Sequence, residues 1–202
     1  ASLAFAIGPT AARLALDNGG NTLSVAALRS GVSAVLMAAL LAGFGQAFRL
    51  DPRAWRWCLA CGAMQAVAVY GLIGSLARIP VAVAVLVFFA HPILVAVFAH
   101  ASGGERLTAR KLALALLAFA GLAVVLAPEF DSLDPVGIML AALAAVTVGA
   151  MILCSGRAQA HATSTQVNLV ASVVSGGVFA LAATLLGDWA LPVNATGWLG
   201  IL

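Results

Sequence analysis

The run PVAVAVLVFFAHPILVAVFAHA, residues 80–101, decides the fold class. It has twenty-two residues with no carboxylate, lysine or arginine among them. At about 1.5 Å of rise per residue such a run forms a helix of roughly 30 Å, the thickness of a bilayer's hydrocarbon core. Its apolar residues are continuous rather than alternating, which excludes the two-residue period of a transmembrane β-strand. At its middle stand His91 and Pro92. A proline there lacks the amide that a helix would use, and its ring presses on the carbonyl of Phe88, so a bent helix with a spare carbonyl beside an imidazole is expected.

The rest of the chain repeats this pattern. Of 202 residues, 63% are hydrophobic and only 8% charged, and the mean hydropathy is +1.11. A soluble domain carries about 25% charged residues. So few charges cannot cover a water-facing surface, and the apolar side chains must meet lipid. Outward from residues 80–101, further spans are expected at 1–16, 22–45, 55–76, 109–127, 135–155 and 166–187, making seven, with an eighth opening near Trp198. Turn-forming residues separate them: Asp17-Asn18-Gly19-Gly20, Asp51-Pro52, Ile79-Pro80, Gly103-Gly104, the stretch from Pro128 to Pro135, and Leu191-Pro192. The fold class expected is all-α, a polytopic bundle of antiparallel helices. The apolar opening residues and the run from Gly197 to Leu202 read as a piece of a longer protein.

Charge gives the orientation. The second, fourth and sixth loops hold Arg49, Arg53, Arg56, Arg106, Arg110, Lys111 and Arg157, and the other three hold only Arg13 and Arg78. Basic loops stay in the cytoplasm, so the N-terminus is expected there and the acidic Glu129–Asp134 loop outside. The net charge of +3 is thus a matter of topology, and no nucleic-acid partner is expected. Trp55, Trp57, Trp189 and Trp198 fall at span ends, where interfacial tryptophan belongs. Small residues one turn apart, Gly62 with Ala66, Gly71 with Ser75 and Ser172 with Gly176, mark faces where backbones approach closely. Cys58, Cys61 and Cys154 all lie within apolar segments, and the C-x-x-C spacing reads as two small residues on one helix face.

Polar groups at membrane depth raise the functional question. Arg29 lies about seven residues into the second span. An arginine at the centre of a span costs roughly 2.5–3.5 kcal/mol on insertion scales, so Arg29 either snorkels to the interface or lines a cavity, where it would attract a carboxylate. His91 is read either as a neutral imidazole bonded across helices or as a proton carrier. Gln65 and Tyr70 either line the cavity or tie helices together. Thr147 is expected to bond its own preceding turn. There is no H-E-x-x-H, nucleophile elbow or P-loop, so no enzyme, catalytic residue, metal or cofactor is expected.

From Arg78-Ile79-Pro80, through the His91-Pro92 span, to Gly104-Glu105-Arg106-Leu107-Thr108, the order of features resembles the EamA-type drug/metabolite transporters. The resemblance implies two five-helix repeats in inverted orientation, the first at 1–127 and the start of the second at 135–202. It marks Pro92 and Glu105 as family-like. Glu105 is also placed to pair with Arg106, Arg110 and Lys111. Between the halves no internal sequence repeat is evident, and Arg29 has no counterpart near Val170. The function implied is a transporter in a bacterial inner membrane, an exporter of a small metabolite or amino-acid-like solute working by alternating access. Arg29, Gln65, Tyr70 and His91 are the cavity candidates and Pro92 the bend. The expected partners are the substrate and the lipid bilayer, with a homodimer allowed. A channel or a receptor without catalytic activity is the alternative.

Overall fold

The computed structural model describes residues 2–45, 50–101, 108–126 and 134–201, without the side chains of residues 2–7 and of Lys111. Glu105, Arg49, Arg106, Glu129 and Asp131 lie outside the described residues. The elements are all helices: α1 Ser2–Asp17, α2 Thr22–Gly43, α3 Pro52–Leu76, α4 Val81–Phe88, α5 His91–Ala101, α6 Ala109–Leu126, α7 Pro135–Gln159, α8 Ser164–Leu186 and α9 Ala195–Leu199.

The helix ends follow local chemistry. Asn21 accepts the Ser24 amide at 2.8 Å and starts α2. Asp51 and Asp134 cap α3 and α7, each followed by a proline in the first turn, where its missing amide costs nothing. Thr163 and Gln166 form a reciprocal capping box on α8. That helix stops at Gly187, whose φ of 64° is left-handed. Asp134 is also 3.1 Å from the Arg78 guanidinium, which joins the end of α3 to the start of α7. The Val136 amide, and then Arg78, hold its carboxyl below the usual carboxylate range.

Among the described residues five segments are long and apolar enough to span a bilayer: Thr22–Gly43, Pro52–Leu76, Val81–Ala101, Pro135–Gln159 and Ser164–Leu186. The other two spans expected, at 1–16 and 109–127, correspond to the shorter helices α1, of 16 residues, and α6, of 18, which opens on a basic first turn. The span expected at residues 80–101 is two helices, α4 and α5, interrupted at Phe89-Ala90.

The helices turn large apolar residues outward. Val125 is 82% exposed, Leu185 77% and Leu117 70%, which in water would be unsupportable and in lipid is the ordinary state. Inside, α3 packs most intimately on α7, and α2 on α8. Small residues permit this closeness. A Cβ on Gly71 would stand 2.7 Å from the Leu140 carbonyl oxygen, and one on Gly62 would stand 2.6 Å from the Cβ of Val174. Cys58, Cys61 and Cys154 are free and buried in the α3–α7–α8 seam with Ala54, Ala158 and Val167. Three of the tryptophans are close to half exposed, and Arg157 sits 5.3 Å above the fourth, Trp57, where cation and ring attract. Thr147 donates to the Leu143 carbonyl at 2.7 Å, as its place in the helix implies.

Candidate functional site

The interrupted helix gives the site its shape. With proline at position 92 the Phe88 carbonyl has no helical amide to accept. The His91 Nδ1 stands 2.9 Å from that carbonyl oxygen. A carbonyl can only accept, so Nδ1 carries the proton, and in the neutral ring Nε2 is left as an acceptor. The imidazole also packs on both neighbouring aromatics, 5.1 Å from the Phe88 ring and 5.8 Å from the Phe89 ring, and the two phenyl rings meet edge to face at 84°. His91 therefore packs against both Phe88 and Phe89.

Those two rings form one wall of a cavity of about 260 Å³ where α1, α2, α3 and α4 meet. Gly8, Pro9 and Ala12 of α1 and Val69, Leu72, Ile73 and Leu76 of α3 complete the apolar lining. Arg29 of α2 is the one charged residue among the described members of its lining. The guanidinium Nη1 donates to the Gly200 carbonyl at 2.9 Å, which ties α2 to the turn after α9. Its Nη2 would be 3.6 Å from a Cβ on Gly8, so the absence of a side chain on α1 leaves that edge of the guanidinium against the cavity.

The remaining sequence candidates fall elsewhere. His91 is behind the aromatic wall rather than in it. Tyr70, 43% exposed, is not in the lining, although its neighbour Val69 is. Gln65 is a tie between helices: its Nε2 is 3.5 Å from the Ser172 hydroxyl. Ser172 meets Ser33 at 3.1 Å, and the Ser175 hydroxyl donates to the Ser172 carbonyl at 3.2 Å and stands 3.4 Å from the Ser30 hydroxyl. Ser30, Ser172 and Ser175 are buried. Sequence reading passed over this serine cluster. The signal was there, a pair of serines three residues apart in each helix, Ser30 with Ser33 and Ser172 with Ser175. The aromatic pair Phe88-Phe89, one residue short of His91-Pro92, was a second such signal.

The histidine arrangement predicts a mutational cycle. His91→Leu leaves the Phe88 carbonyl without a partner in an apolar site, a loss of about 1–3 kcal/mol. Adding Pro92→Ala restores a backbone amide for that carbonyl, so the double variant should recover most of the thermal stability in detergent. Equal melting of the single and double variants would disprove this role for the imidazole.

Comparisons with known proteins give a family and a fold. A family model described as the EamA-like transporter family matches residues 1–127. No curated protein matches the chain. Seven chains of solved structures match. One, titled only as the crystal structure of a protein, is 25% identical, superposes with a TM-score of 0.71, and is covered over 73% of its length by 98% of this chain.

Proposed function

The chain belongs to the EamA-like transporter family, and on that premise we propose that it carries a small solute across a bacterial inner membrane by alternating access, in the outward direction, with the Arg29 cavity as its binding site. The observation that carries the reading is the cavity itself: an apolar chamber with one held guanidinium, walled by the break in a spanning helix. Interrupted helices at mid-depth are where transporters place solutes, because freed backbone groups and a flexible joint coincide there.

Alternating access requires two halves that can exchange conformations, and the helix register supports an inverted repeat. Ser164, which opens α8, follows Thr22, which opens α2, by 142 positions, and the caps Asn21 and Thr163 have the same separation. The ends of α1 and α7, Asp17 and Gln159, keep it too. So do Ser30 with Ser172 and Ser33 with Ser175. Under that shift the Ser30–Ser175 and Ser33–Ser172 contacts exchange into each other, as contacts across a two-fold axis must. The crossing of α2 and α8 is then the axis, 1–127 is the first repeat, and the second begins at 135. Arg29 corresponds to Ala171, which makes the cavity's charge unpaired by symmetry. The basic loops support an orientation with the N-terminus in the cytoplasm.

Counterflow in proteoliposomes tests this. Vesicles preloaded with one member of a panel of radiolabelled carboxylates, amino acids and neutral solutes should show saturable exchange for at least one. Flux that rises linearly with concentration would mean a channel, and chemical conversion of the solute an enzyme.

A further inference from the structure

We propose that the Arg29 cavity selects a net-anionic organic acid, one carboxylate on an apolar body of aromatic size, over a zwitterionic amino acid. The inference rests on the reading of this cavity as the solute site and goes beyond it to the charge of the solute. Three features of the wall carry it.

The first is charge balance. Among the described residues Arg29 is the one charged member of the lining, and none of the others is an aspartate or glutamate. The described carboxylates are engaged or placed elsewhere: Asp17 with Arg13, Asp134 with Arg78, Asp51 on the cap of α3, and Asp188 beyond the end of α8. A single carboxylate neutralises a single guanidinium. A dianion would leave one charge uncompensated against apolar side chains.

The second is the donor set. The Gly200 carbonyl takes one of the five guanidinium N–H groups, and Nη2 faces the space left by Gly8. Paired N–H donors suit a carboxylate's two oxygens. An ammonium group needs acceptors instead, and the lining side chains other than Arg29 are aliphatic, aromatic or absent. The acceptor freed by the helix break, the Phe88 carbonyl, already accepts one bond from His91. An amino acid would thus bring its ammonium into an apolar wall beside a like charge.

The third is shape. Phe88 and Phe89, fixed edge to face, and Leu72 and Ile73 opposite them offer an extended apolar surface in a cavity of about 260 Å³. That volume holds an aryl ring with a short acid tail.

Titration calorimetry on the purified full chain in detergent tests the proposal with three matched probes: 3-phenylpropionate, its amide, and L-phenylalanine. The acid should bind at least about tenfold tighter than either of the others, a difference of about 1.4 kcal/mol. Arg29→Gln should bring the acid to the level of the amide, and Arg29→Lys should keep part of the preference. Equal binding of acid and amide, tighter binding of phenylalanine, no binding of the acid, or a preference unchanged in Arg29→Gln would each overturn it. The comparison within the unmodified chain needs no variant to fold. Binding of the acid without counterflow would remove the transporter reading and leave this one, and counterflow of amino acids without acid binding would do the reverse.

Discussion

Gly71→Leu is expected to leave almost no monodisperse protein after extraction in detergent. A Cβ at Gly71 meets the Leu140 carbonyl oxygen at 2.7 Å and the Ala144 Cβ at 3.2 Å. The first of these is backbone, which cannot rotate away. To admit a leucine, α3 and α7 must separate along the most intimate helix contact in the protein. Inserting extra methylenes into a packed interior costs typically about 1–3 kcal/mol, and here the strain falls on two helices that also bury the three cysteines and their neighbours. In a membrane this contact is held by close packing rather than by expulsion of water, so little compensates for its loss. Gly121→Leu is the control. No atom lies within 4 Å of a Cβ built there, and its helix α6 has no buried side chain among those described. Size-exclusion profiles of the two variants should differ completely. A normal profile for Gly71→Leu would mean that α3 and α7 are not packed as described.

Arg29→Ala should lower solute exchange by roughly 10- to 150-fold while leaving the extraction profile close to normal. A hydrogen bond to a charged partner contributes about 1.5–3 kcal/mol, and each 1.4 kcal/mol is tenfold. The guanidinium supplies every charged contact that the lining side chains offer an anion. Its structural contribution is smaller, a single bond to the Gly200 carbonyl in a bundle held mainly by α3 with α7 and α2 with α8. Arg29→Lys keeps the charge but loses the planar pair of donors, so its exchange should fall between the two. Exchange unaffected in Arg29→Ala would move the solute site away from this cavity.

The class of fold was legible in the sequence because hydrocarbon is a demanding solvent: runs such as residues 80–101 admit few other readings. The break at Phe89-Ala90 was also foreseeable, since Pro92 removes an amide whatever surrounds it. The positions of individual polar groups were not. Gln65 and Arg29 are both polar residues within spans, yet one reaches a serine on α8 and the other a cavity. That difference depends on which faces of α2, α3 and α8 meet, and helices whose apolar residues run all round do not show it in their periodicity. The same property leaves the proposed repeat faint in the sequence. With α2 and α8 in register, identities amount to scattered matches such as Val25 with Val167 and Ser30 with Ser172, because lipid asks of both helices only that they be apolar. The caps and the two serine pairs carry the proposed register, which the serine contacts between α2 and α8 support. The family-like Glu105 lies outside the described residues.

Two-sided access to the Arg29 cavity is the centre of the account, and labelling a cysteine placed at Val69 measures it most directly. Cys58, Cys61 and Cys154 are buried, so the unmodified chain provides the blank. In sealed vesicles of both orientations, Val69→Cys should react with a membrane-impermeant maleimide from either face of the membrane, and bound solute should slow both reactions. Reaction from one face only, or from neither, would contradict the account.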